Sequence, residues 1–230
     1  MPGWRNLVDA RDLKSLGVFP RAGSSPASGT PSANGALMKR KSNYKRETYE
    51  TSIEIQLIID GKGNSEIDTP VGFLNHMLEQ LARHGKFDIQ LNADGDTHID
   101  YHHIVEDIGI CLGKAFYDAC DNFKGIKRFS SYTIPMDDAL SSVAIDISNR
   151  PYLVFNVKNL VDKIGDFDTQ LIEEFFRAFS SNFRCNLHIN NHYGYNSHHI
   201  VESIFKAFAL SLNDALEIID LSIPSTKGVL

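Results

Sequence analysis

The chain is short of the groups that build cross-linked, membrane-spanning or polyanion-binding proteins. Its three cysteines, Cys111, Cys120 and Cys185, never fall at a Cys-x-x-Cys spacing, which leaves no disulfide framework and no zinc knuckle. Cys111 and Cys185 stand in apolar runs, the setting of reduced, buried thiols. No apolar run approaches the roughly 18 residues that a membrane span needs. Positive charge is also scarce: 23 Lys and Arg against 29 Asp and Glu give a net charge of −6. That balance excludes nucleic acid as a partner and requires cations to be used locally. A secretory signal's basic start and apolar core are missing too, so the chain reads as cytoplasmic, or as belonging to the soluble lumen of an organelle.

Residues 1–37 lack any hydrophobic period. The run Arg21-Ala22-Gly23-Ser24-Ser25-Pro26-Ala27-Ser28-Gly29-Thr30-Pro31-Ser32 is small, polar and turn-forming, so this stretch is expected to be disordered or a spurious extension. Asp9 and Asp12 count against a transit peptide. Gly23-Ser24-Ser25-Pro26 back-translates into the T-arm sequence of a tRNA gene, and Met38 is a natural start.

What is present is enough to fold and carries one pattern twice. At 42% hydrophobic, with 14 Phe and 8 Tyr in 230 residues, the chain can bury one large core or two small ones. His102-His103-Ile104-Val105-Glu106 and His198-His199-Ile200-Val201-Glu202 are the same five residues, starting 96 positions apart. Each opens an amphipathic helical stretch. Residues i and i+4 stack on one helix face, so His102 with Glu106, and His198 with Glu202, can each grip one metal ion. Adjacent residues lie about 100° apart around the axis, which turns His103 and His199 away from that ion. The economical arrangement is two metals, each taking a His/Glu pair from one copy and the spare His from the other. One pentad alone would suit a helix start with solvent-facing imidazoles; two identical copies do not.

Around the pentads the chain reads as a tandem duplication of a half-domain, an α/β (α+β) fold with a mostly antiparallel sheet covered by two helices. In the first half, 38–125, Ile53, Ile55, Leu57 and Ile59 alternate as a strand, and Asp60-Gly61-Lys62-Gly63 suggests a hairpin turn. Phe73, Leu74, Met77, Leu78 and Leu81 form a helical stripe stopped near His84-Gly85, and Phe87, Ile89 and Leu91 alternate before the first pentad's helix. The second half, 126–219, repeats that order. Its strands run through Val143, Ile145 and Ile147 and then Tyr152 to Val157; its helical stripe is Leu171, Phe175, Phe176 and Phe179; Cys185, Leu187 and Ile189 alternate. The second pentad's helix reaches about Ile219, and 220–230 form a polar tail.

The repeat yields two further candidate ligands. His76 lies 26 residues before the first pentad, and Glu174, on the matching helix, lies 24 before the second. Asp107 is i+4 to His103, but its counterpart is Ser203, so the repeat argues against it. His84, His98, His188 and His192 have no such pairing; each is expected to be hydrogen-bonded or at the surface, within reach of a pocket. A set of imidazoles and carboxylates without thiolate favours Mn, Fe, Zn, Co or Ni, and its oxygens tilt it toward Mn. The expected grouping is His102, Glu106, His199 and Glu174 on one ion, and His198, Glu202, His103 and His76 on the other. Symmetry between halves also suggests a site between subunits.

Several motifs carry a resemblance. Gly72-Phe73-Leu74-Asn75-His76-Met77-Leu78, the first pentad with Asp107, Pro135-Met136-Asp137-Asp138-Ala139-Leu140, Arg150-Pro151-Tyr152-Leu153, Phe167-Asp168-Thr169-Gln170 and Ser225-Thr226-Lys227-Gly228-Val229-Leu230 resemble the imidazoleglycerol-phosphate dehydratase family of histidine biosynthesis, from about residue 44 onward. The resemblance implies a hydro-lyase that converts D-erythro-imidazole glycerol phosphate to imidazole acetol phosphate through an imidazolate held by two metal ions. It implies two Mn(2+) per active site at subunit contacts of a 24-subunit homo-oligomer. The phosphorylated imidazole is then the partner, with no nucleic acid and no membrane. It assigns Glu50 as acid/base, with Glu106 and Glu202 as further catalytic carboxylates. Arg128, Arg150, Lys206, Ser225 and Lys227 fall to the phosphate, with His76 and His84 beside the substrate, and the tail closes over it. One departure is Glu174, where many members carry His. Two rival classes are a two-metal phosphoester hydrolase, which needs metals about 3.5–4 Å apart sharing a hydroxide and leans on bridging carboxylates, and a structural shell whose pentads only join subunits.

Overall fold

A computed structural model describes residues 40–158 and 160–229; the expectation for residues 1–37 lies outside them. The first sheet contains β1 (Lys41–Glu47), β2 (Thr51–Ile58), β3 (Ser65–Asp68) and β4 (Asp88–Gly95), in the order β1-β2-β4-β3. The second contains β5 (Phe129–Met136), β6 (Ala139–Asp146), β7 (Tyr152–Asn156) and β10 (Asn186–Tyr193), in the order β5-β6-β10-β7. Helices α1 (Gly72–Gly85) and α2 (His102–Ala119) belong to the first half, α3 (Leu171–Phe183) and α4 (Ser197–Ala215) to the second. Each sheet is antiparallel except for one pair, β3 with β4 and β7 with β10. The duplication is therefore visible in strand order, in pairing sense and in helix placement. One addition breaks it, a short hairpin of β8 (Lys163–Ile164) and β9 (Phe167–Asp168) before α3.

The sheets bury one face because their strands alternate. Thr51, Ile53, Ile55 and Leu57 of β2 point inward while Ser52, Glu54 and Gln56 point out, the period of two that a half-covered strand demands. The helices fill the space between the sheets. Each packs on its own half's sheet and on a helix of the other half: α1 on β3 and α4, α2 on β1, β2 and α3. Phenylalanines crowd the seam, with Phe176 5.2 Å from Phe208 and Phe179 5.8 Å from Phe116 between ring centres. All three cysteines are buried and unpaired; burial pushes the Cys111 and Cys120 thiols up to about 12 and the Cys185 thiol higher than its ordinary value.

Two local expectations are corrected. The Asp60-to-Gly63 turn does not make a hairpin, because β4 inserts between β2 and β3; Asp88 at the head of β4 accepts from the Lys62 and Asn64 N–H groups and ties the turn there. The hairpin partner of β2 is β1, whose residues Lys41-Ser42-Asn43-Tyr44-Lys45-Arg46-Glu47 are too polar to announce a strand. Helix α1 ends at Gly85, where its stop signal lies: Lys86 takes the left-handed cap, and a Cβ on Gly85 would lie 2.2 Å from the Phe87 ring that folds beneath it. Arg184 caps α3 in the same way. Helix α4 ends at Ala215 rather than near Ile219, since Ile218 leaves to bridge Ile126.

The α2–α3 contact is the tightest of the helix crossings. A Cβ on Gly109 would sit 2.7 Å from the Phe175 carbonyl oxygen, and one on Gly113 2.7 Å from that of Phe179. Both obstacles are backbone and cannot swing aside. In an open helix Gly→Ala gains about 1 kcal/mol; here Gly113→Ala is expected to destabilise by about 1–3 kcal/mol through overpacking. Urea unfolding checks the sign.

Candidate functional site

Cross-half helix packing brings together residues that the sequence holds far apart. His76, on the second turn of α1, faces His198 and Glu202 on the first turns of α4, with 5.5 Å between the two ring centres. The Nε2 atoms of His76 and His198 lie 3.6 and 3.2 Å from Glu202 Oε2. Their donor atoms all fall within 4.8 Å of one another. The other oxygen, Oε1, accepts from Lys206 Nζ at 2.7 Å. Glu202 is only 6% exposed, and burial pushes its carboxyl up; the bond and charge of Lys206, followed by His76 and His198, outweigh that and leave it below the ordinary glutamate value of 4.5. His84, two turns along α1 from His76, is lowered by burial and then by Lys206, and its ring bonds Gln80 at 3.1 Å.

The first pentad is placed at the start of α2 by the same helical register. His102 Nε2 and Glu106 Oε2 are 3.8 Å apart, both side chains 45% exposed. His102 lines a cleft with Tyr101, Lys163, Asp166 and Gln170, between the α2 and α3 starts. Glu174, on the first turn of α3, has Arg177 Nε at 3.7 Å. The Tyr101 hydroxyl donates to Asp166 at 2.8 Å and ties the added hairpin to α2.

The second histidine of each pentad stands apart from these groups within one chain. His103 Nδ1 is 3.0 Å from Asp96 and 3.9 Å from Glu50, the exposed residue of the β1–β2 turn. The bond to Asp96 raises the His103 pKa. His199 Nδ1 is 2.6 Å from Asp138 in the β5–β6 turn. Asp138 is held well below the usual carboxylate range, first by the Tyr195 N–H, then by His199 and the Asn196 N–H. Neither Asp96 nor Asp138 was assigned a role from sequence, although Asp138 lies in one of the resemblance motifs; the distance to a pentad histidine marks each. Asp107 is buried and bonded to Arg46 and Thr51, at 2.5 Å from the latter, which occupies it structurally.

The remaining cations lie elsewhere. Arg128, left-handed at φ 78°, bonds Asp146 at 2.7 Å and the Pro224 carbonyl at 2.8 Å, and its own N–H reaches the Ala215 carbonyl at the C-terminus of α4. Arg150 donates to the Ser148 carbonyl at 3.2 Å. The tail follows Arg128: Gly125 N–H donates to Ser222 O, and the Lys227 N–H to Ser225 Oγ at 3.2 Å. His198 and Ala215 are separated by about 25 Å along α4. One chain therefore keeps Arg128 and its tail at the opposite end of α4 from the His76–His198–Glu202 group.

The fold and its groups define a class: a doubled α+β half-domain carrying a His–carboxylate cluster where helices of opposite halves meet. The imidazoleglycerol-phosphate dehydratase family model matches residues 69–212. A dehydratase of that name from Clostridioides difficile is 56% identical over 186 residues, 81% of this chain and 97% of the relative; one from Oceanobacillus iheyensis is 52% identical over 194, covering 83% and 100%. The crystal structure of the Staphylococcus aureus enzyme is 41% identical, with a TM-score of 0.70 over 77% of this chain and 99% of that one. That of Pyrococcus furiosus, in complex with (S)-C348, is 37% identical at a TM-score of 0.71, covering 81% and 99%. The chain belongs to the imidazoleglycerol-phosphate dehydratase family.

The Glu202–Lys206 pair sets an acid-side test. Because the folded carboxyl lies below 4.5, its contribution to stability is present above that pH and lost as pH falls through the lower folded value. In Lys206→Met, burial prevails and Glu202 opposes folding at neutral pH by about 2 kcal/mol. The penalty should shrink as pH drops toward and below 4.5. Denaturant unfolding of both proteins at several pH values reads the difference.

Proposed function

We propose that the chain is a hydro-lyase of histidine biosynthesis that removes water from D-erythro-imidazole glycerol phosphate to give imidazole acetol phosphate, with divalent cations, Mn(2+) foremost, bound at its pentads. The observation that carries this reading is the convergence of His76, His198 and Glu202, two imidazole nitrogens and a carboxylate oxygen within 4.8 Å. Such a donor set suits a borderline divalent ion at bond lengths of about 2.0–2.2 Å. His102 and Glu106 form a second pair, with Glu174 on the helix beside it. A cation bound there supplies Lewis-acid coordination to the nitrogens of a substrate imidazole and so stabilises the ring's anion.

The protein's own groups supply the rest. The hydroxyl leaves the carbon next to the ring, and the proton leaves the neighbouring carbon; the resulting enol becomes the ketone. Glu50, exposed on a tight turn 3.9 Å from His103, is the carboxylate suited to take that proton. Lys206 keeps Glu202 ionised, ready to act as a ligand. Arg128, Arg150, Ser225 and Lys227 suit a phosphate, since a guanidinium offers paired donors and an ammonium a compact charge. Their distance from the pentads within one chain supports an active site assembled between copies; the homo-oligomer of 24 subunits and the cytoplasmic location are part of the proposal that rests on the family resemblance.

A turnover assay on the chain from Met38, stripped by chelator and resupplied with Mn(2+), tests the reaction. Activity should vanish and return. Glu50→Gln should lose about 10²–10⁴-fold in kcat and keep its metal. An assembled, metal-loaded protein without turnover would point instead to a structural shell. The shared site has its own test: His198→Ala and Lys227→Ala chains, each inactive alone, should on co-assembly regain about a quarter of the sites, those drawing intact halves from different copies. Sites contained within one chain would regain none.

A further inference from the structure

We propose that Asp96 and Asp138 are positioning residues. Each holds the second histidine of a pentad, His103 or His199, with Nδ1 protonated and Nε2 free to ligate a cation whose other ligands come from a neighbouring copy. The inference rests on the metal-binding reading above and concerns residues outside its ligand set. An ionised carboxylate only accepts hydrogen bonds, so the Nδ1 atom beside it carries the proton and the neutral ring keeps its lone pair on Nε2. The contacts are 3.0 Å for His103 on Asp96 and 2.6 Å for His199 on Asp138.

Asp138 shows that the carboxylate is a holder and not itself a ligand. Its Oδ2 accepts from the Tyr195 and Asn196 N–H groups at 2.7 and 3.0 Å, and its Oδ1 takes the imidazole. Both oxygens are engaged, and they fix the β5–β6 turn to the residues entering α4. His199 Nε2 has Asp137 at 3.7 Å, a side chain 72% exposed and beyond hydrogen-bond reach. In the first half the holder comes from a different connection, the link after β4, where Asp96 precedes α2. The same chemistry thus stands on both second histidines although the two supporting carboxylates occupy different places in the repeat. These are the two histidines that helix geometry turns away from the i, i+4 pairs, so each needs another means of orientation.

The test is Mn(2+) titrated into chelator-stripped, assembled protein, with free ion read by EPR, for wild type and for Asp138→Ala, Asp138→Asn, Asp96→Ala and Asp96→Asn. Each Ala variant should bind Mn(2+) about 10–100-fold more weakly at unchanged stoichiometry. The Asn variants, which retain an acceptor oxygen, should fall between Ala and wild type, with thermal unfolding not following that order. If Asp138→Ala fails to fold, the Asp96 pair and Asp138→Asn decide. Wild-type affinity in the variants would overturn the proposal and leave the metal reading standing; so would loss of one ion per chain, which would make the aspartate a ligand. A wild-type protein that binds no Mn(2+) would instead remove the metal reading on which it rests.

Discussion

The arrangement depends on helices pairing across the duplication rather than within it. Helix α1 packs against α4 and α2 against α3, so the two most extensive helix contacts each join one half to the other. That exchange is what sets His76 beside His198 and Glu202, and Glu174 on the helix next to His102 and Glu106. An isolated half would hold either end of such a cluster and not both. It would also expose the phenylalanine seam, because the helices of one half are covered by those of the other. Burial of that seam and assembly of the clusters are therefore one event.

The two pairings are not built alike. At α2–α3 the backbones approach closely over Gly109 and Gly113. One repeat later the same helix positions are Phe205 and Ala209, and the Phe205 ring is directed at Phe175 and Phe176 of α3, at 5.4 and 5.0 Å, inside its own half. Beneath the pentads the halves differ as well. Asp107 anchors α2 to the first sheet through Arg46 and Thr51, where α4 uses a neutral pair, Ser203 to Ser141 at 2.7 Å. Ser203 also bonds the Ile200 carbonyl, so the hydroxyl costs little when buried. The pentads have stayed identical while their supports have been rebuilt.

Much of this was legible in order and little of it in detail. Alternation at Ile53, Ile55 and Leu57 and the stripe through Leu74, Met77 and Leu81 mark strand and helix because one face of each is covered, and the repeated pentad marks the duplication. Strand β1 escaped because an edge strand of Lys, Ser, Asn and Arg has no apolar period to show. The parallel partners β3 and β7 place β4 and β10 in the sheet interiors, and a local turn signal such as Asp60-Gly61 cannot reveal an insertion made by a strand that begins only at Asp88. His76 and Glu174 were reached only by superposing one half on the other. Asp96 and Asp138 could not be reached even so, because their common function is spatial: they sit at different places in the repeat and meet their histidines through turns.

The cationic end of the molecule follows from similar economy. Arg128 spends Nε and NH2 on Asp146 and NH1 on the Pro224 carbonyl, and Gly125 receives Ile219 and donates to Ser222. The tail is thereby tied to Arg128 and Gly125, which removes part of the ordering cost that a free terminus would pay in any binding event. A guanidinium has five N–H donors, so one engaged in this way still has donors to offer. The acidic chain does not need a broad positive surface for a phosphate; it needs a few cations already fixed in position. Helix α4 thus carries its His–Glu cluster at one end and this anchored group at the other, and the length of that one helix sets their separation.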